Sequence, residues 1–337
     1  MARADVDVVL GVDGGGTTTA AGAVTETGEV LIEHRRPTHH AGRGSAVQTM
    51  MDLIATLRSE AEQCGLRVTG IGIGVPGLVN AATGRISDEA LNVPELADLP
   101  LASLLRERFG LPVFVDNDVN ALALAELFFG VGRGVRSLVM LAAGTGFGAA
   151  LVLDGRIIRG ALGFAGELGH APVKFDGRPC WCGGRGCLAV YASGRGIAEA
   201  ARARVAVEPS ALSASMGGDL TAITAPQVFT AAEAGDAVAA SVVDEACRAL
   251  GAMIGVIVNG LNPEVVVITG GVAAAYAALE KRVLAAAAEH AFPSALAGTR
   301  VCIVPGDKKL SMRGAAALVI YETRGGTRRA APESPSV

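Results

Sequence analysis

Residues 163–193 hold the densest chemistry in the chain. Gly-Phe-Ala-Gly-Glu167-Leu-Gly-His170 is followed by Cys180-Trp-Cys182-Gly-Gly-Arg-Gly-Cys187. His170, Cys180, Cys182 and Cys187 make a Cys3His set, the composition of a closed tetrahedral zinc site. Cys-x-Cys is tighter than the common Cys-x2-Cys, but Gly183, Gly184 and Gly186 let the loop curl around an ion. Four protein ligands leave no position for metal-activated water, so the Zn2+ is expected to be structural. It would lock the imidazole and leave its second ring nitrogen for substrate. Glu167, three residues earlier, adds a carboxylate. A held imidazole beside an acid suits a polyhydroxylated small molecule. The competing reading is a loop with no metal.

Two glycine turns offer a second kind of chemistry. Gly14-Gly15-Gly16-Thr17 and Gly144-Thr145-Gly146 each follow an apolar strand, and Gly270-Gly271 follows another. Glycine lets backbone N–H groups approach a phosphate closely, and a threonine hydroxyl adds a donor. Asp13, where the first strand ends, suits a Mg2+ carrying ATP phosphates through water. Ordinary hairpin turns have the same composition. No P-loop pattern is present, and 14–19 does not run into a helix, which disfavours a dinucleotide fold.

Asp116-Asn117-Asp118 lies between a short apolar run and a helical segment. A carboxylate there can take the proton of a sugar hydroxyl as it attacks phosphorus, and Asn117 can donate to and accept from neighbouring hydroxyls. Helix capping competes for the same residue types. Asp116 is assigned to structure.

These groups need elements to hold them. Strands are expected at 7–12, 19–24 and 30–35, a helix at 45–63, a strand at 68–75, a helix at 101–109, a strand at 113–115 and a helix at 120–129. The pattern then restarts with strands at 137–143, 148–153 and 156–158 around a second glycine turn. This is an architectural echo with no fixed sequence period. Two such halves would suit a nucleotide held between domains. Helices follow at 194–205, 225–234, 238–261, 274–290 and 311–322, strands at 265–269 and 300–304, and 208–219 reads as a loop. The expected domains are 1–118 plus 311–325, then 119–310, with 326–337 a disordered tail.

Bulk properties narrow the classes. A chain of 337 residues implies two domains or one large α/β unit. A net charge of −4 without a basic stripe argues against nucleic acid as a partner. The first apolar run, 8–12, is too short for a signal core, and the apolar segment 253–261 is broken by Gly and Asn. No membrane partner and a cytoplasmic location are therefore expected. Cys64, Cys247 and Cys302 read as buried free thiols.

Asp13 to Thr17, Asn117-Asp118, Gly144 to Gly146, Gly166-Glu167-x-Gly-His170 and Cys-x-Cys-Gly-x-x-Gly-Cys together resemble the ROK family of sugar kinases and related repressors, over about residues 6 to 322. The resemblance implies an α/β, two-domain actin-like ATPase (ribonuclease H-like) fold with a nucleotide and sugar cleft between domains. It implies ATP- and Mg2+-dependent phosphorylation of a primary hydroxyl on a hexose or hexose-like substrate. Asp118 would be the general base, and Asn117, Glu167 and His170 would hold sugar hydroxyls, with Asn92 loosely matching another sugar-binding position. Asp13 and the three glycine segments would serve ATP. A homodimer or homotetramer is implied as well.

Family repressors carry an N-terminal helix-turn-helix. Here a strand is expected within ten residues of Met1, which favours the enzyme over a non-catalytic sugar-binding regulator. Two positions depart from the family pattern. Thr18 stands where many members have lysine, and Ala189 where a glutamate usually contacts the sugar near C1 and C2. A hydrogen bond to a charged group is worth about 1.5–3 kcal/mol, so a glucose-optimised site would lose roughly 10- to 150-fold in binding. Three readings stay open: glucose with a compensating group, a modified sugar or C7-cyclitol, or a weak or inactive relative. Asp118, both glycine turns and the zinc set argue against the last.

Overall fold

The structure is a computed structural model describing residues 6–87, 93–304, 306 and 308–326. The expected meander opens it: β1 (Val6–Gly14), β2 (Thr18–Thr25) and β3 (Val30–Pro37). Helix α1 (Ala46–Gln63) follows, burying Met50, Leu53, Ile54 and Leu57, which recur at helical spacing. Next come β4 (Leu66–Val75), a hairpin of β5 (Val79–Asn80) and β6 (Arg85–Ile86), and α2 (Leu101–Phe109), which Gly110 ends in the left-handed region at φ 66°. Strand β7 (Val113–Asn117) runs directly into α3 (Asp118–Phe129).

The second series begins with β8 (Leu138–Ala143), β9 (Phe147–Leu153) and β10 (Arg156–Ile157). Helices α4 (Ala189–Ala192), α5 (Gly194–Val205), α6 (Ala211–Ser215), α7 (Ala225–Glu233) and α8 (Ala237–Leu261) precede β11 (Val265–Thr269). The chain closes with α9 (Ala273–Ala278), α10 (Glu280–Ala288), α11 (Pro293–Gly298), β12 (Arg300–Ile303) and α12 (Lys308–Thr323). Two expectations are corrected here. The helix expected over 274–290 is two, parted at Leu279, and the loop expected over 208–219 contains α6, capped by the Ser210 side chain.

The two sheets share one plan. The first has the order β3-β2-β1-β4-β7, with β1, β4 and β7 parallel. The second has the order β10-β9-β8-β11-β12, with β8, β11 and β12 parallel. Each is a meander followed by parallel strands, the echo expected from the sequence.

Two compact units take the described residues within 1–136, 151–165 and 307–337, and within 137–150 and 166–306. In the first, α1 packs its apolar stripe on Leu10, Val12, Ile71, Ile73 and Val115. Helix α12 covers the opposite face, where Val9 and Val24 meet Ala316 and Val319. Its close approach requires glycine below it: a Cβ on Gly11 would collide with the Met312 carbonyl, and one on Gly72 with the Ala315 carbonyl.

This division corrects the expected boundaries. Helix α3 belongs to the first unit because it packs along α12, where a Cβ on Gly314 would strike the Ala121 carbonyl. Residues 151–165 join it because the Ile157 N–H donates to Tyr321 Oη at 3.1 Å and Arg159 pairs with Asp116 and Glu322. The tail expected over 326–337 lies, beyond residue 326, outside the described residues.

Candidate active site

Ligands of open α/β sheets bind where parallel strands end. At that edge of the first sheet, the register sets Asp13 beside Gly74 and Gly74 beside Asp116. Glycine at 74 lets α3 begin against β4, since a Cβ there would lie 3.3 Å from the Asp118 Cα. Asp13 and the first turn of α3 are thus held at one end of one sheet.

The three residues after Val115 divide the work. Asp116 is 1% exposed. Its Oδ1 accepts the Asn117 N–H at 2.8 Å and the Asn120 side-chain amide at 3.0 Å. Its Oδ2 accepts Arg159 Nε at 2.8 Å and Nη2 at 2.6 Å. Arg159 Nη2 also donates to Glu322 Oε1 at 2.9 Å. Burial works against the Arg159 charge, but the Asp116 and Glu322 carboxylates outweigh it and hold the guanidinium above its ordinary value.

Asn117 caps α3. Its Oδ1 accepts from Val119 N at 2.8 Å and Asn120 N at 3.3 Å, while Nδ2 donates to the Gly77 carbonyl at 3.0 Å. Capping therefore occupies its carbonyl, and the amide keeps one further hydrogen to donate. Asp118 opens the helix, and its Oδ1 accepts the Val119 N–H at 2.9 Å. Asn92 lies outside the described residues.

Thr38, absent from the sequence reading, supports the first glycine turn. Its hydroxyl donates to the Gly15 carbonyl at 2.5 Å, and its N–H donates to the Thr17 carbonyl at 2.9 Å. It sits just past β3, where nothing local marks it. Side chains crowd Gly14: a Cβ there would lie 2.8 Å from Met50 Cε and 3.2 Å from Val75 Cγ1.

The glycines of the second unit are different. A Cβ on Gly144, Gly146 or Gly271 would meet nothing within 4 Å, so open space borders the backbone there. Parallel pairing of β8 with β11 brings the two glycine segments together, and the Val272 N–H donates to the Ala143 carbonyl at 2.9 Å. The turn is docked on the start of α5: Gly194 N–H reaches the Gly144 carbonyl at 2.8 Å and Arg195 N–H the Thr145 carbonyl at 3.0 Å. Open, fixed backbone at a strand end fits a phosphate-bearing ligand.

The Cys and His ligands converge. His170 Nδ1 lies 3.5 Å from Cys180 Sγ, Cys182 Sγ lies 3.7 Å from Cys187 Sγ, and all four donor atoms fall within 4.8 Å of one another. Ligands about 2.3 Å from a tetrahedral zinc stand roughly 3.8 Å apart, so the set fits that ion. A tight hairpin closes the site, with Cys180 N–H on the Gly184 carbonyl at 2.9 Å and Gly186 N–H on the Arg178 carbonyl at 2.8 Å. Nδ1 faces the sulfurs, which leaves Nε2 as the other ring nitrogen.

Glu167 and His170 ride on a loop laid against β9. A Cβ on Gly166 would lie 2.6 Å from the Ala149 carbonyl oxygen, and one on Gly169 would collide with the Phe147 carbonyl. Burial raises the Glu167 carboxyl above its ordinary value. Ala189 opens α4 at 1% exposure, and its carbonyl accepts the Ser193 hydroxyl at 2.6 Å.

The repeated sheets with their strand-end turns define an actin-like ATPase fold. Within it, the chain belongs to the ROK family, whose model matches residues 9–322. It is 39% identical to a glucokinase of Halalkalibacterium halodurans, over 79% of this chain and 81% of that protein. It is 33% identical to a xylose repressor of Caldicellulosiruptor bescii, over 78% of this chain and 66% of that protein. A ROK family glucokinase of Streptomyces griseus, solved with glucose and AMPPNP, is similar at a TM-score of 0.70 and 30% identity, covering 92% of this chain and 98% of that one. Among the described residues no helix is long and apolar enough to cross a membrane.

Proposed function

We propose that this protein is an ATP-dependent kinase acting on a primary hydroxyl of a hexose or hexose-like substrate. The observation that carries the reading is Asp118 at the start of α3, held at the sheet edge that also carries Asp13. Asp118 takes the proton of the attacking hydroxyl, a role that needs a fixed carboxylate and no covalent intermediate. The remaining amide hydrogen of Asn117 donates to a neighbouring hydroxyl. Glu167 accepts from sugar hydroxyls, and His170 Nε2 adds a contact whose direction a metal held by Nδ1 would fix.

Gly144, Thr145, Gly146, Gly270 and Gly271, with Gly14 to Thr17, present backbone N–H groups to the nucleotide phosphates. Asp13 orients Mg2+ through water. Bound ATP and Mg2+ supply the phosphoryl group and neutralise charge on it. Zn2+ on His170, Cys180, Cys182 and Cys187 is scaffolding. Ala189 favours a substrate that differs from glucose near C1 and C2, such as a modified sugar or a C7-cyclitol.

Similarity to a repressor supports a second reading, a sugar-binding regulator without turnover. A coupled assay for ADP release against a panel of hexoses, amino sugars and cyclitols separates the two. Substrate-dependent ADP release with one panel member is the expected result. Binding of a sugar with no ADP release from any of them would favour the regulator.

A further inference from the structure

Asp118 is a short side chain on the first turn of a helix, so its aim is set by the backbone of that turn. One hydrogen bond to that backbone and one to a side chain of the same turn hold it on either side of Asp118. Asp116 Oδ1 holds the Asn117 N–H before it and the Asn120 side chain after it, at 2.8 and 3.0 Å. Asp116 is in turn oriented from behind by Arg159, whose Nε and Nη2 both reach Oδ2, at 2.8 and 2.6 Å.

The fork is itself braced. Arg159 Nη2 donates to Glu322 on α12 at 2.9 Å, and its guanidinium lies 5.6 Å from the centre of the Tyr321 ring. The backbone of Arg159 does a second job. Its carbonyl accepts the Ala165 N–H at 3.1 Å and closes a loop that ends two residues before Glu167. Side-chain exposures of 14% for Arg159 and 2% for Asp116 keep water from competing for these bonds.

We infer that Arg159 is a positioning residue: acting through Asp116, it fixes the first turn of α3 and with it the aim of Asp118 at the acceptor hydroxyl. The inference rests on the proposal that Asp118 is the general base. A buried ion pair is a poor source of net stability, because desolvating both charges offsets much of their attraction. A planar two-point grip supplies direction, which is what a reacting carboxylate needs. Lysine offers a single point charge and cannot span both Asp116 and Glu322 in this way.

The test is steady-state kinetics on the full chain, with Mg-ATP and the panel substrate that the wild type turns over fastest. A misplacement of about 1 Å can reduce rate 100-fold, so Arg159→Lys is expected to lose about 10- to 100-fold in kcat with substrate KM changed less than about threefold. Glu322→Gln leaves the Asp116 fork in place and is expected to stay within about twofold of wild-type kcat. Arg159→Met strands the Asp116 charge and is expected to unfold easily. The Asp116→Asn/Arg159→Met/Glu322→Gln triple variant removes all three charges of the cluster, and it is expected to regain wild-type thermal stability while kcat stays at least about tenfold low.

Recovery of kcat together with stability in the triple variant would make the network structural only and overturn the inference. Wild-type kcat in Arg159→Lys, or a rise in KM that matches its fall in kcat, would overturn it as well. Asp118→Asn is the control. Loss of turnover there with wild-type kcat in the Arg159 variants sinks the inference alone, whereas full turnover in Asp118→Asn, or no turnover of any panel member by wild type, removes the base assignment and the inference with it.

Discussion

The Cys3His hairpin draws all four candidate ligands from residues 170–187, whereas the first turn of α3 is held by side chains from three separate stretches of chain. In the proposed function both sites aim one side chain, His170 in one case and Asp118 in the other. The hairpin would do it with local turns and a ligand set whose geometry an ion would enforce. The helix start does it with a buried ion pair whose partners lie 43 and 163 residues from Arg159. A local site tolerates change elsewhere and fails when a ligand is lost. A site held from afar fails gradually and from a distance.

That contrast can be broken or sharpened by experiment. Asp118→Asn is expected to lower kcat by about 10²–10⁴ with the melting temperature unchanged, since the amide keeps the hydrogen-bond geometry but cannot take a proton. Steady-state rates beside a thermal melt check it, and a fully active variant would reduce α3 to a scaffold. Next in size is loss of the metal. Elemental analysis is expected to find one zinc per chain. Cys182→Ser or exhaustive chelation is expected to cost about 10- to 100-fold in activity, the range for disturbed metal sites, expressed in substrate KM with ATP KM within about threefold. A zinc-free protein with unchanged substrate KM would dissolve the comparison, because the hairpin would then aim nothing.

The smallest effect belongs to Ala189→Glu. A restored charged contact is worth about 1.5–3 kcal/mol. Ala189 is 1% exposed, so overpacking of about 1–3 kcal/mol opposes it. The net expectation is a fall in glucose KM of about tenfold or less, with a lower melting temperature. Unchanged glucose KM in a folded variant would show that the departure at 189 does not tune the sugar site.

The same contrast explains what could be read in advance. Cys180, Cys182, Cys187 and His170 were legible because metal ligands announce themselves by type and spacing. Both meanders, the α1 stripe and the restart after residue 137 were legible from apolar periodicity. Asn117 was read as either cap or ligand, and the structure gives its carbonyl to the cap. The break at Leu279 was missed because the alanine-rich run on either side has high helix propensity throughout. Arg159 was missed because it follows Ile157-Ile158 with no acid at a local spacing. Thr38 was missed because its partners, Gly15 and Thr17, come to it across the β2–β3 pairing.

By itself the sequence determined most of the elements, the repeated plan and the grouping of His170 with the three cysteines, and it nominated Asp118 as the acid to take a proton. Those depend on periodicity, turn chemistry and ligand type, which act over a few residues. Only the tertiary structure decided which side chains hold the first turn of α3, which glycines border open space and which serve packing, and that α3 and residues 151–165 group with α12. Each of these depends on contacts between segments far apart in the chain, where neither spacing nor propensity carries a signal.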